Sequence, residues 1–467
     1  MPGILAQTLD LLAGWRPLDT WIVVTAALAA MGCSLPGVFL VLRRQSMTGD
    51  ALSHTSLPGI VIAFLLAQWL NKLGWISPET YETARHGVLF LGAMVVGVAT
   101  AVLTEWVHKL GRVEASAALG VVFTTLFALG LILIRTAADN VDLDPDCVLY
   151  GTVETVVIDT LAGTGVPRAA VLNGLVLLVN LGLVVIFFKE LRISAFDPAL
   201  ATTLGINATL MHYALMAVTA ATLVAAFESV GSILVIAMLI VPAATASLLS
   251  RQLWLVIVLS LAVAGLSAPL GHVMAIVLPP LIFGRLGFDS VVDASTAGMM
   301  AVAVGMLFAA AVFLAPGTGI LARIVHHAVL VVRIAAEDVL GVLYRAEEAG
   351  MASKATEVNH LLENALKAGP LLRGLAMRTL IREGKLVHDG AIYRLTPAGR
   401  DAARAVVRSH RLWEAYLAKH FQLAEDHFHD SAARAEHYID SGTRERMAEE
   451  LDQPGLDPHG RSIPKES

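Results

Sequence analysis

The sequence predicts an all-α polytopic membrane bundle of about nine transmembrane helices, followed by a water-soluble region containing a winged helix and further helices. Three observations carry this. The chain is 56% hydrophobic and only 15% charged, against roughly 25% charged residues in ordinary soluble proteins. Its charge is unevenly placed: residues 1–315 hold 13 Lys and Arg and 18 Asp and Glu, whereas 316–467 hold 20 and 21, together with ten of the 15 histidines. Apolar runs long enough to cross a bilayer lie near 21–42, 49–70, 88–107, 117–135, 168–188, 211–227, 229–250, 253–278 and 297–315.

Gly and Pro recur inside these runs (Pro36-Gly37, Pro58-Gly59, Pro242) and at the end of one (Pro279-Pro280), which packed membrane helices tolerate because neighbouring groups re-satisfy the backbone. The pair 211–250 is interrupted by Glu228 and Gly231 and reads either as a helical hairpin or as one bent unit. Nine spans with the C-terminus inside place Arg43, Arg44, Lys109, Arg112, Lys189, Arg192 and Arg251 in the cytoplasm, a weak positive-inside bias. The acidic stretch Asp139, Asp142, Asp144 and Asp146 then faces outward, either as a solvated loop or as an attractor of cations. Two cysteines, Cys33 and Cys147, provide neither a disulfide framework nor a thiolate metal site. A tail rich in His, Arg and Glu without disulfides suits the cytosol.

The expected boundaries are a membrane domain over 1–320, a linker helix over 321–350, a winged-helix-like domain over 351–400 and a helical domain over 401–467. The winged helix rests on the order helix, helix, hairpin, long helix, with the hairpin marked by alternating apolar residues around Asp389-Gly390.

The second apolar run opens Gly49-Asp50-Ala51-Leu52-Ser53-His54. A carboxylate within the bilayer costs several kcal/mol unless partnered, so Asp50 requires a reason. Asp50 and His54 are four residues apart and share one helix face. One carboxylate and one imidazole make half of a borderline site suited to Mn, Fe or Zn, and a two-fold dimer would supply four donors. Spacing alone equally permits a capping aspartate beside a hydrogen-bonded histidine.

The segment GDALSHTSLPGIVIAFLL resembles the signature of the ABC-3 family, the permeases of bacterial zinc, manganese and iron importers. The similarity continues through ALGVVFTTLFALGLILI (118–134), NVDLDPDCVLYGT (140–152), FFKELRISAFDPALATTLGI (187–206) and FESVGSILVIAMLIVPAATASLL (227–249). The resemblance implies a type-II ABC importer-like bundle in the bacterial cytoplasmic (inner) membrane, with Asp50 and His54 as metal ligands of the translocation path. It implies that 187–206, including Phe196, Asp197 and Pro198, couples to an ABC ATPase subunit; the polar, amphipathic character of this stretch also suits docking into a partner's groove. A second permease copy and an extracytoplasmic metal-binding protein are the other implied partners. The chain contains no GxxxxGK[ST] phosphate loop, so ATP hydrolysis is expected on a separate subunit and this chain is not expected to be an enzyme.

Residues 351–464 resemble the diphtheria-toxin-repressor and manganese-regulator family through GPLLRGLAMRTLIREGKLV (369–387), LTPAGRDAARAVVRSHRLWEAYL (395–417), EDHFHDSAARAEH (425–437) and LDPHGRSIP (456–464). By that resemblance 401–467 is a metal-binding and dimerisation-like domain, and His410, Glu414, His429, Glu436 and His437 are its ligands, for Mn2+ or Fe2+ as a regulatory ion. Two departures stand out. Ala433 occupies a position where the family has a Cys or Glu ligand, and the expected recognition helix reads Leu371-Leu372-Arg373-Gly374-Leu375, apolar where bases need polar partners. DNA is therefore not an expected partner, and the tail reads as a degenerate metal sensor or as a packing module. Manganese is the expected cargo because of this tail, with zinc and iron open and no permanently bound cofactor. The rival reading is a membrane-anchored, metal-responsive transcription regulator, for which nine spans with an intramembrane Asp/His pair are far more than a tether requires.

Overall fold

The computed structural model describes residues 13–73, 78–137, 153–161, 165–283, 293–350, 360, 362, 369–389, 392–421 and 431–465. It divides into two compact units, Met1–Ala322 and Arg323–Ser467. The acidic stretch 139–146, His429 and the Asp389-Gly390 turn's glycine lie outside the described residues.

The first unit is helical: α1 (Pro17–Leu42), α2 (Ser46–Lys72), α3 (Pro78–Gly111), α4 (Ala115–Ala137), the single turn α5 (Val153–Val156), α6 (Arg168–Ile186), α7 (Phe188–Phe196), α8 (Pro198–Thr203), α9 (Ala208–Leu249), α10 (Leu253–Phe283) and α11 (Thr296–Leu314). Among the described residues, eight helices are long and apolar enough to cross a membrane, and Leu234–Leu249 forms a shorter apolar segment. α1 is the central helix, packed by α6, α9 and α10, while α2 packs on α3 and α4.

Small residues set these crossings. A Cβ on Gly59 of α2 would lie 2.7 Å from the carbonyl oxygen of Gly92 in α3, and one on Gly92 would lie 2.6 Å from that of Gly59, so both positions require glycine for the backbones to approach. Buried amides tie α6 to its neighbours. Asn180 Nδ2 donates to the Gly32 carbonyl of α1 (3.1 Å) and to Thr222 Oγ1 of α9 (2.8 Å), and Asn173 Nδ2 donates to Ser229 Oγ (3.1 Å).

α9 resolves the hairpin question. Its 42 residues would be about 63 Å long as one straight helix, twice a bilayer core. Gly231 breaks it with φ 75° and ψ 163°, a conformation that glycine alone adopts readily. His212 near its start lies by Arg43 at the end of α1 (3.4 Å), Ser229 lies by the start of α6, and Leu239 returns to Gly37 of α1. The chain therefore turns back at Gly231. One end of the bundle carries the end of α1, α7 and both termini of α9. The other carries the starts of α1, α6 and α11.

In the second unit α12 (Ile320–Glu348) is followed by α13 (Pro370–Arg382), β1 (Leu386–Asp389), β2 (Ile392–Leu395), α14 (Pro397–His420), a short 3-10 turn Glu436–Tyr438 and α15 (Ser441–Glu450). β1 and β2 pair antiparallel, Leu386 with Leu395 and Asp389 with Ile392. Ala335, Ala336, Val339, Leu340 and Leu343 of α12 form one core with Ala376, Leu380, Leu386, Leu395 and Ala403. Thr396 caps α14 by accepting from Gly399 N (3.0 Å) and donates to the Gly384 carbonyl (2.7 Å), which seats the hairpin on the long helix.

Candidate metal centres

The ligand residues expected from the sequence fall into two constellations, one in each unit. In α2 the i, i+4 spacing brings His54 Nε2 to 3.6 Å from Asp50 Oδ1, both side chains partly exposed. That is too long for a hydrogen bond. It is near the roughly 3.4 Å that separates two ligands held about 2.1 Å from a tetrahedral ion. The imidazole is walled by α4, with Phe127 at 5.4 Å and Phe123 at 5.9 Å between ring centroids, so two phenyl rings limit its rotation and leave Nε2 toward the carboxylate. Ser53 Oγ donates to the Asp50 carbonyl (2.6 Å). Among the described residues no third His, Cys, Asp or Glu joins this pair in a compact group, so the chain alone offers two donors.

At the same end of the bundle as Arg43, α7 and α8 meet at Asp197. Its Oδ1 accepts from Ala199 N and Leu200 N, both at 3.0 Å, and Pro198 occupies the first helical position, an N-terminal cap built from sequence-local chemistry. Leu191, Ser194 and Ala195 are buried, whereas Phe196 is 63% exposed and Leu200 and Leu204 are also exposed. Arg43 Nη2 donates to Ser194 Oγ (2.9 Å), fixing the segment to α1.

In the second unit the expected ligands divide into two adjoining groups. His410 and Glu414 of α14 pair at 3.0 Å through Nε2, and His410 Nδ1 lies 2.6 Å from Glu436 Oε2; all three residues are buried. His437 turns the other way, toward α12: its Nδ1 is 2.9 Å from Glu337 Oε2 and its Nε2 3.2 Å from Asp338 Oδ1. Ligand atoms of Asp338, Glu436 and His437 all lie within 4.8 Å of one another, close to the roughly 4.4 Å spanned by two opposed ligands of one ion. These residues fit a divalent cation. Glu337 and Asp338 were not legible as site residues from the motifs. The signal was an acid pair set between Ala336 and Val339, at the point where α12 becomes buried.

The carboxylates govern protonation here. Burial opposes charging His437, but Asp338 and Glu337 outweigh it and hold its pKa up to about 9. His410 is likewise raised, with burial overcome by Glu414 and Glu436. Glu337 is pushed up by burial but pulled below its ordinary value overall by His437 and Arg333. Imidazolium charge thus offsets part of the acids' charge in the metal-free cluster, and a cation binding there displaces protons.

The membrane unit decides the family: residues 18–282 match the model described as ABC 3 transport family. The chain belongs to the ABC 3 transport family. Residues 396–465 match the model of the iron dependent repressor, metal binding and dimerisation domain. Among ABC 3 relatives, the manganese transport system membrane protein MntD of Bacillus subtilis is 38% identical over 65% of this chain and 95% of its own length. The zinc transport system membrane protein TroD of Treponema pallidum is 35% identical over 390 residues, 82% of this chain and 97% of its own. That similarity is longer than the first unit and so runs into the second. In structure the chain resembles PsaBC from Streptococcus pneumoniae, with TM-score 0.51 and 28% identity over 67% of this chain and 97% of that one.

Proposed function

We propose that this ABC 3 permease is the membrane subunit of an ATP-driven importer of divalent transition metals, manganese first among them, and that its C-terminal unit senses cytosolic metal. The observation that carries the reading is the Asp50/His54 pair, 3.6 Å apart in the second helix, in a chain whose relatives are named for manganese and zinc transport. Two donors per chain become four when a second copy faces the first across a two-fold axis. Such a site binds a borderline cation without selecting strongly among Mn2+, Fe2+ and Zn2+. Manganese is favoured by the tail, where Asp338, Glu436 and His437 offer oxygen and imidazole rather than thiolate.

In this reading the exposed Phe196 and the capped turn at Asp197-Pro198 dock in a groove of an ABC ATPase subunit. ATP-driven closure of two ATPases moves the coupling segments, and the bundle alternates access to the Asp50/His54 site. An extracytoplasmic protein delivers the ion, and the chain lies in a bacterial cytoplasmic membrane with its C-terminus in the cytosol. Asp50→Ala and His54→Ala should each abolish metal accumulation in cells while leaving membrane insertion intact. Near-normal uptake by either variant removes the pair from the mechanism.

A further inference from the structure

The membrane unit contains a second aspartate–imidazole pair. It lies at the end of the bundle opposite α7 and is assembled from residues far apart in sequence. His272, in α10, is 4% exposed. Its Nδ1 lies 3.0 Å from Thr296 Oγ1 in the first turn of α11, and Trp15 meets its ring edge-on at 5.3 Å. Its Nε2 is buried without a hydrogen-bond partner and faces Asp19 Oδ1 at 3.6 Å, the same separation as in the Asp50/His54 pair. The other oxygen of Asp19 accepts from Arg16 N (2.6 Å), which holds the carboxylate in place. Behind Thr296, Glu154 Oε1 accepts the Thr296 backbone N–H (2.7 Å) and brings a second negative charge to the same end.

A buried ring nitrogen without a partner is costly. A carboxylate 3.6 Å away does not satisfy it by a hydrogen bond. With Nδ1–H donated to Thr296, the Nε2 lone pair faces a carboxylate, and a cation between the two satisfies both. A hydrogen bond from the second ring nitrogen is the usual way in which protein fixes a metal-ligating histidine. Access exists from the outer side, since Asp19 and Trp15 retain exposed surface.

We propose that Asp19 and His272, with water filling the remaining ligand positions, form a second divalent-cation site, which receives the transported ion at the far end of the bundle before it reaches Asp50 and His54. This rests on the metal-import reading. Along α1, Asp19 lies 18 residues before Gly37, and Leu239 approaches both Gly37 and Gly49. The two pairs are therefore about 27 Å apart along the bundle, near opposite faces of a hydrocarbon core of about 30 Å. A cation site of matching donors at the entrance shortens the interval during which an ion is bound by neither the delivery protein nor the Asp50/His54 pair.

The test is equilibrium binding of Mn2+ to the full chain in lipid nanodiscs, in a His54→Ala/His437→Ala background that weakens the other two centres. Adding His272→Gln, or separately Asp19→Asn, should remove one bound Mn2+ per chain. In cells, either substitution in the otherwise intact chain should raise the metal concentration for half-maximal uptake about tenfold and leave the maximal rate unchanged. Asp19→Asn keeps the side-chain shape, so it reports on the site if His272→Gln fails to insert. Unchanged Mn2+ stoichiometry in both variants overturns the site and leaves the pair a closing contact between α1 and α10. Should the unsubstituted chain bind no Mn2+, Co2+ or Zn2+ at all, the metal-import reading falls and the outer site falls with it.

Discussion

Arg411 offers the clearest quantitative test of how the C-terminal unit holds its cluster of carboxylates and imidazoles together. It follows His410 on α14 and is almost fully buried, with its guanidinium donating to Glu348 Oε1 and Oε2 (3.1 and 2.6 Å) and to the Ser462 carbonyl (2.6 Å). Asp457 lies 3.8 Å from Nε. This clamp joins the end of α12 to α14, and α12 also carries Glu337 and Asp338. Arg411→Met retains much of the volume and removes every donor. Removing one partner of a buried ion pair costs about 3–5 kcal/mol. Glu348 is 34% exposed and regains water, and Asp457 keeps the backbone donors His459 N and Arg461 N, so the lower end, about 3 kcal/mol, is expected. For a unit of this size that corresponds to a fall in Tm of roughly 10 °C. Scanning calorimetry of the full chain in nanodiscs measures it, with Arg404→Met as control because Arg404 pairs, among the described residues, with the exposed Asp401 and should shift Tm by less than about 2 °C. A Tm for Arg411→Met within 2 °C of the parent, or an equal shift in the control, refutes the clamp.

The proposed coupling segment and the tail's histidines yield two further expectations. Phe196→Asp should abolish copurification with the ATPase subunit, and Asp197→Ala should lower transport per ATP hydrolysed by loosening the start of α8, a cap worth about 1 kcal/mol; unaltered assembly and transport in both place the interface elsewhere. His437 has its pKa raised from 6.5 to about 9, so its charge stabilises the metal-free tail fully below about pH 6.5 and this contribution is lost as pH rises through 9. Thermal melts of the metal-free chain should show the tail less stable at pH 9.5 than at pH 6.5, a difference that His437→Gln diminishes.

The bundle was legible because lipid imposes a length and a composition on each helix, and the described helices follow the apolar runs. The Asp50/His54 pair was legible for a related reason: i, i+4 spacing on a helix is geometry written in sequence. The course of 211–250 was not. Gly231 marked a break, but only the partners of His212, Ser229 and Leu239 on α1 and α6 reveal a reversal. The same limit hid Asp338 and the Asp19/His272 pair. Their partners come from helices about 100 and 250 residues away, and no local period encodes a meeting over that distance.

The proposed sensor reading turns on α13, the helix that the resemblance to metal-dependent repressors makes a recognition helix. Leu371 of α13 is 78% exposed and Leu375 is exposed beside it, where the proposed reading would otherwise look for base-contacting side chains. Leucine neither donates nor accepts, so a duplex held there would be contacted mainly through phosphates, which fix register without reading sequence. The acidic cluster at α12 and the 3-10 turn retains Asp338, Glu436 and His437 within 4.8 Å of one another, although Ala433 contributes no donor. Metal affinity and base reading are separable, and in the proposed sensor the first persists without the second. A metal-loaded full chain should then protect no sequence upstream of its own gene at about 150 mM salt, and any binding at low salt should fall steeply as salt rises. A Mn2+-dependent footprint that survives moderate salt would restore the repressor. Its absence, together with altered uptake at high metal on His437→Ala, identifies a sensor whose output is the transporter it is joined to.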